Sequence, residues 1–163
     1  MSLLQVEGLA KRFGSLVAVD DVTFAVEEGE VFGIAGPNGA GKSVLFATVS
    51  GFYRPTSGSV VFDGRQIVGL APNQICHLGL TRTFQTPILF HSMSVEDNIR
   101  VGALFGRGDG AARVPEILEF LDLGPVAGKL ATNLDLFVTK KVVLGAALAT
   151  GPKLLLLDEP MAG

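Results

Sequence analysis

Gly36-Pro37-Asn38-Gly39-Ala40-Gly41-Lys42-Ser43 decides the reading of this chain. An apolar run, Val31-Phe32-Gly33-Ile34-Ala35, precedes it, and a helix-compatible run, Ser43 to Val49, follows. The order is therefore strand, glycine loop, helix, the context that a phosphate-binding loop requires. The glycines let the backbone turn tightly and aim successive N–H groups at one point. The helix starting near Lys42 adds the positive end of its dipole. Lys42 is placed to reach the β- and γ-phosphates of a nucleotide, and the Ser43 hydroxyl to ligate Mg²⁺.

Composition sets the frame for that loop. With 163 residues the chain has the length of one domain and enough material for a core. Hydrophobic residues make up 48% and charged residues 18%, and the mean hydropathy is +0.45. No membrane span is expected, because the longest apolar stretch, Val142 to Leu157, is interrupted by Gly151-Pro152-Lys153. The apolar excess instead suggests a buried parallel sheet, whose strands read as continuous apolar runs. One cysteine, Cys76, excludes an internal disulfide framework. The N-terminus lacks the basic region of a secretory signal. A net charge of −3 and a pI near 5.3 argue against a nucleic-acid partner.

Outward from the loop, Leu3 to Leu9 and Val22 to Val26 read as strands, and Glu28-Gly29-Glu30 turns the chain into a buried strand over 31–35. Ser59 to Phe62 reads as a strand closed by Asp63-Gly64. Pro72 opens a short helix to about Leu78, and 81–85 forms a short strand. Ser94 caps a helix with acids in its first turn. Further helices are expected near Pro115 to Leu121 and from Thr139 to Ala149. Lys153 to Leu157 reads as a fully buried strand ending in Asp158-Glu159. Two carboxylates at the C-terminal edge of a sheet stand where ligands bind in open α/β folds. Asp158 would hold Mg²⁺ through water, and Glu159 could take a proton from an attacking water.

These residues carry a family resemblance. Along its whole length the chain resembles the ATPase subunit of an ABC transporter, and most of all the ATPases of branched-chain amino acid and urea-type importers. The resemblance rests on 31–43, Leu45-Phe46, Ser50-Gly51, Gly79-Leu80-Thr81-Arg82-Thr83-Phe84-Gln85, Leu148-Ala149-Thr150, and Pro152 through Pro160. It implies an α/β P-loop NTPase, RecA-like, with a mixed sheet, an N-terminal antiparallel β region and a helical subdomain. The nucleotide-binding core would comprise 1–86 and 152–163, and the helical subdomain 87–151. ATP and Mg²⁺ are the implied cofactors. Nucleotide would be bound by Phe13, stacked on adenine, and by Asn38, Gly39, Ala40, Gly41, Lys42, Ser43 and Val44. Metal would be held by Ser43, Gln85 and Asp158, with Glu159 and Gln85 catalytic. The partners implied are a second ABC ATPase subunit and transmembrane permease subunits, with the chain cytoplasmic and peripheral on the inner face of the membrane. Thr86 to Asn98, with Ile88, Leu89, Phe90 and Met93, would lie beside the groove that receives a permease helix.

Three departures from the family pattern shape the expectation. The signature loop, close to Leu-Ser-Gly-Gly-Gln in the family, is here Leu134-Asp135-Leu136-Phe137-Val138. Asp135 carries a negative charge toward the place where a partner's γ-phosphate would sit, and Phe137 blocks a close backbone approach. Val44 replaces a hydroxyl residue and removes one phosphate contact. Met161-Ala162-Gly163 falls where the family's D-loop begins, so a central strand and a switch histidine are missing. The chain reads as an N-terminal fragment or incomplete gene product of an importer ATPase. The alternative is a non-hydrolysing nucleotide-binding module or a degenerate partner subunit. An ABC-like protein of DNA repair or translation is a third reading, disfavoured by the short, acidic, single-copy chain.

Overall fold

A computed structural model describes residues 2–159. It consists of two compact units, Met1–Ile75 and Cys76–Gly163. The first is built on two long strands, β1 (Ser2–Phe13) and β2 (Leu16–Glu27), joined by a two-residue turn. Both extend well beyond the apolar runs that announce them. β1 lies between β2 and β3 (Ser57–Phe62), and β4 (Arg65–Gln66) completes a four-stranded antiparallel sheet in the order β2-β1-β3-β4. Leu4 faces Val26 on one side and Phe62 on the other, and Val6 faces Phe24 and Val60. Burial of Leu4, Val6, Leu9, Val60, Phe62 and Ile67 fixes that register, since a one-residue slip would turn them to solvent. Helix α1 (Lys42–Val49) buries Leu45, Ala47 and Val49.

The apolar run 31–35 is not the buried strand that its composition predicts. It has no strand hydrogen bonding among the described residues, and Val31 is 98% exposed. A strand that is buried in a parallel sheet needs a neighbour on each side, and none of the described strands pairs with it. Its one aromatic ring finds local cover: Phe32 stacks on Phe24 of β2 with centroids 5.2 Å apart and an interplanar angle of 10°.

The second unit begins within α2 (Pro72–Leu78), the helix that Pro72 was expected to open. Strand β5 (Leu80–Arg82) pairs in parallel with β6 (Leu154–Leu156), Arg82 standing opposite Leu156. β6 is also less buried than four successive leucines suggest. Only Leu156 is buried, and Leu157 is 37% exposed. The helices α3 (Val95–Leu104), α4 (Val114–Phe120) and α5 (Leu136–Ala149) enclose a core that includes Val95, Ile99, Val114, Ile117, Leu123 and Val142. Ser94 caps α3 as expected, accepting from the Asp97 N–H at 3.0 Å. No helix of the described residues is long and apolar enough to cross a membrane. The D-loop reading of Met161-Ala162-Gly163, with Pro160, lies outside the described residues.

Candidate nucleotide site

In the first unit, the chain enters α1 through Gly41, which takes φ +87° in the left-handed region. A Cβ at this position would stand 2.1 Å from the backbone oxygen of Ala18 on β2, so only glycine fits. That contact seats the start of the helix on the β1–β2 hairpin. Lys42 folds back over the loop, donating from Nζ to the carbonyls of Gly36 at 2.6 Å and Pro37 at 2.9 Å. The ammonium is thus held over the loop formed by Pro37 to Ala40, which is closed by the Ala40 N–H to Pro37 carbonyl bond of 3.2 Å. No side chain caps the N-terminus of α1. The N-terminus of a helix favours an anion, and a positive side chain already stands beside this one. Ser43 lies on the first turn, one residue beyond Lys42.

Phe13 ends β1 and pairs with Leu16, two residues before Ala18. The hairpin therefore brings Phe13 to within about 10 Å of the Gly41 contact, on strand spacing and rise. Phe13 is 41% exposed and meets Tyr53 edge-on.

In the second unit, three of the residues singled out in the sequence come together at the ends of β5 and β6. Gln85 donates from Nε2 to a Glu159 carboxylate oxygen at 2.8 Å. Glu159 takes φ +48°, a left-handed conformation rare for a non-glycine residue and concentrated at functional sites. Next to it, Asp158 is 5% exposed and receives the Arg82 guanidinium at 3.0 Å. Arg82 has only 8% of its side chain exposed, and its Nε has no hydrogen-bond partner among the described residues. Sequence reasoning missed Arg82 as a partner. The available signal was a cation between two buried threonines, Thr81 and Thr83, which calls for a buried acid.

The loop Leu134 to Val138 has a role of its own. Asp135 is the N-cap of α5: its backbone is extended, and its carboxylate accepts from the Val138 N–H at 2.8 Å. The helix therefore begins at Leu136, three residues earlier than expected, because the capping residue supplies the start signal. Leu136 and Phe137 point to solvent, 50% and 66% exposed. The Lys141 ammonium stands 4.9 Å from the Phe137 ring centroid and 3.5 Å from Asp122. An apolar cleft of about 630 Å³ runs past Phe84, Gln85, Phe137, Leu144, Leu157 and Glu159. Of the apolar residues after Gln85, Leu89 packs against the helical core, whereas Ile88, Phe90 and Met93 are exposed. Asn98 fixes that segment, accepting from the Phe90 N–H at 2.8 Å and donating to the Phe90 carbonyl at 3.1 Å.

Among the described residues no three His, Cys, Asp or Glu side chains cluster as a metal cage. Ser43 Oγ in the first unit and the Asp158 carboxylate in the second are each hard oxygen donors, the chemistry that Mg²⁺ takes.

The family model for ABC transporters matches residues 19–162. This chain belongs to the ABC transporter family. It is 35% identical over its whole length to 70% of the probable branched-chain amino acid transport ATP-binding protein LivG of Methanocaldococcus jannaschii. It is 37% identical over 99% of its length to 70% of the high-affinity branched-chain amino acid transport ATP-binding protein LivG of Salmonella typhimurium. Among solved structures, a nucleotide-free ATP-binding cassette from an ABC transporter matches all of the chain with a TM-score of 0.86 and 35% identity, over 71% of that structure's chain. The ADP conformation of the cassette MJ1267 matches with a TM-score of 0.89 and 34% identity, again over the whole chain and 70% of the other. The fold is thus that of the P-loop NTPase cassette, as the loop 36–43 implied.

Proposed function

We propose that this chain is an ATP-binding subunit of an ABC importer for branched-chain amino acids or a related small polar solute. The observation that carries the reading is the loop 36–43. Lys42 is held over it by two carbonyls, and Gly41 opens an uncapped helix against Ala18. In this reading the N–H groups of Asn38 through Val44 cradle the β- and γ-phosphates, and Lys42 exchanges its carbonyl bonds for phosphate oxygens. Phe13 stacks on adenine. Ser43, Asp158 and Gln85 would each offer Mg²⁺ an oxygen ligand, and the ion would neutralise charge at the phosphates. Gln85 positions water beside Glu159, and Glu159 accepts its proton.

The partners are a second ATPase subunit and transmembrane permease subunits, with the chain on the cytoplasmic face of the membrane. Residues 1–86 with 152–163 serve as the nucleotide-binding core and 87–151 as the helical subdomain. Exposed Ile88, Phe90 and Met93 offer the permease an apolar contact. Calorimetric titration with ATP and Mg²⁺ tests the core of the proposal. Saturable binding that disappears in Lys42→Ala supports it, and equal binding by the variant overturns it.

A second reading, nucleotide binding without hydrolysis, is favoured by Asp135. Its carboxylate occupies the α5 N-terminus that the family turns toward a partner's phosphate. Glu159→Gln separates the two. In an ATPase it prolongs ATP retention at least several-fold, and in a binding module it leaves ATP dissociation unchanged.

A further inference from the structure

We propose that Lys11 and Tyr53 are positioning residues that hold Phe13 as a one-sided platform for a nucleobase. The inference rests on the reading that Phe13 stacks on the base. Lys11 and Phe13 are two apart on β1 and so project to the same side of the strand. The Lys11 ammonium stands 4.7 Å from the Phe13 ring centroid and 5.7 Å from that of Tyr53. It is pinned there by donating to the Arg54 carbonyl at 2.9 Å. Tyr53 meets Phe13 at 5.2 Å with an interplanar angle of 84°, edge to face. Two neighbours therefore set the Phe13 ring plane, and one of them lies over a face. Yet Phe13 and Tyr53 each remain 41% exposed, which leaves ring surface for a ligand.

The same contacts tie this platform to the phosphate loop. Phe52 and Tyr53 both donate their N–H to the Ala47 carbonyl, at 2.8 and 3.1 Å, anchoring Tyr53 at the C-terminal end of α1. That helix starts at Lys42. One helix of eight residues, about 12 Å long, thus connects the phosphate-binding lysine to the residue that orients the aromatic ring. A platform fixed before binding loses less freedom on stacking, so Lys11 and Tyr53 raise affinity for the base without touching the phosphates. The cation restricts stacking to the opposite face and so sets the side from which the base enters.

The test separates base from phosphate. Calorimetry on the full chain with Mg²⁺ gives dissociation constants for inorganic tripolyphosphate and for ATP, and the tripolyphosphate constant divided by the ATP constant reports the nucleoside contribution. Phe13→Ala should lower the ratio roughly 5- to 100-fold. Lys11→Met, which keeps most of the stem, should lower it roughly 2- to 5-fold. Tyr53→Leu should lower it roughly 2- to 10-fold. Tripolyphosphate affinity should hold in all three, and Lys11→Arg and Tyr53→Phe should restore the wild-type ratio. A normal ratio in Lys11→Met and Tyr53→Leu, with the loss confined to Phe13→Ala, overturns the positioning role and leaves stacking intact. A normal ratio in Phe13→Ala overturns the stacking reading itself. A parallel fall in tripolyphosphate affinity for Lys11→Met assigns Lys11 to the phosphates and overturns the proposal, as does absence of ATP binding by the wild-type chain.

Discussion

Replacing Arg82 with methionine isolates the energetics of the buried pair that holds the end of β6. Arg82 and Asp158 are 3.0 Å apart with 8% and 3% of their side chains exposed. Screening is therefore slight, and the pair differs in kind from the exposed Arg12–Asp20 contact at 3.7 Å. Removing one member of a buried pair leaves an uncompensated charge and costs about 3–5 kcal/mol. The Arg82 guanidinium also lies 5.2 Å from the Phe84 ring centroid, a contribution of at most about 1–2 kcal/mol. Arg82→Met should therefore destabilise the chain by about 3–6 kcal/mol, a large share of the about 5–15 kcal/mol available to a domain.

Asp158→Asn leaves the guanidinium a neutral acceptor and should cost less, about 1–3 kcal/mol. In Arg82→Met with Asp158→Asn both charges are gone, and the double variant should be closer to wild type than Arg82→Met is. The sum of the single losses should exceed the double-variant loss by about 2–4 kcal/mol. Urea unfolding followed by far-UV circular dichroism reads all four chains, with Phe84→Leu as a control for the ring contact. A loss below about 1 kcal/mol in Arg82→Met, or an additive double variant, would falsify the reading of this pair as a buried structural lock.

Other substitutions test separate contacts. Asp135→Ala removes the cap of α5 and a charge at its positive end, and should lower stability by about 1–2 kcal/mol. Asp135→Ser keeps a capping oxygen and should recover at least half of that in thermal melts. Gly41→Ala places a Cβ 2.1 Å from the Ala18 oxygen at φ +87°. It should weaken ATP binding at least tenfold by calorimetry while the far-UV spectrum of the remaining sheet persists. Gly102→Ala would put a Cβ 1.9 Å from the Ala146 oxygen where α3 meets α5. Separation of the helices should cost at least about 1–3 kcal/mol, read as a lower melting temperature. An unchanged melting temperature would mean that α3 and α5 do not approach as closely as described.

What the sequence made legible divides along the range of the forces involved. The phosphate loop, the Ser94 cap and the Pro72 helix start are local devices: a left-handed glycine, a hydroxyl three residues from an N–H, a fixed φ. Each was readable because every partner lies within a few positions. The runs 31–35 and Leu154 to Leu157 are equally local as patterns, yet they misled. Apolar composition states that a segment needs burial, and only neighbouring strands supply it. Arg82 and Asp158 show the same limit for a site. Both stood in quoted motifs, but the bond between them depends on the register that sets Arg82 opposite Leu156 across a parallel pair. Asp135 is the instructive case between these extremes. Its capping signal is as local as that of Ser94, yet the apolar pattern alone puts the start of α5 at Thr139, three residues late. The nearer acceptor–donor pair takes precedence: the carboxylate meets the Val138 N–H at 2.8 Å within its own chain. The N-terminus of α5 therefore already holds an anion supplied by its own chain.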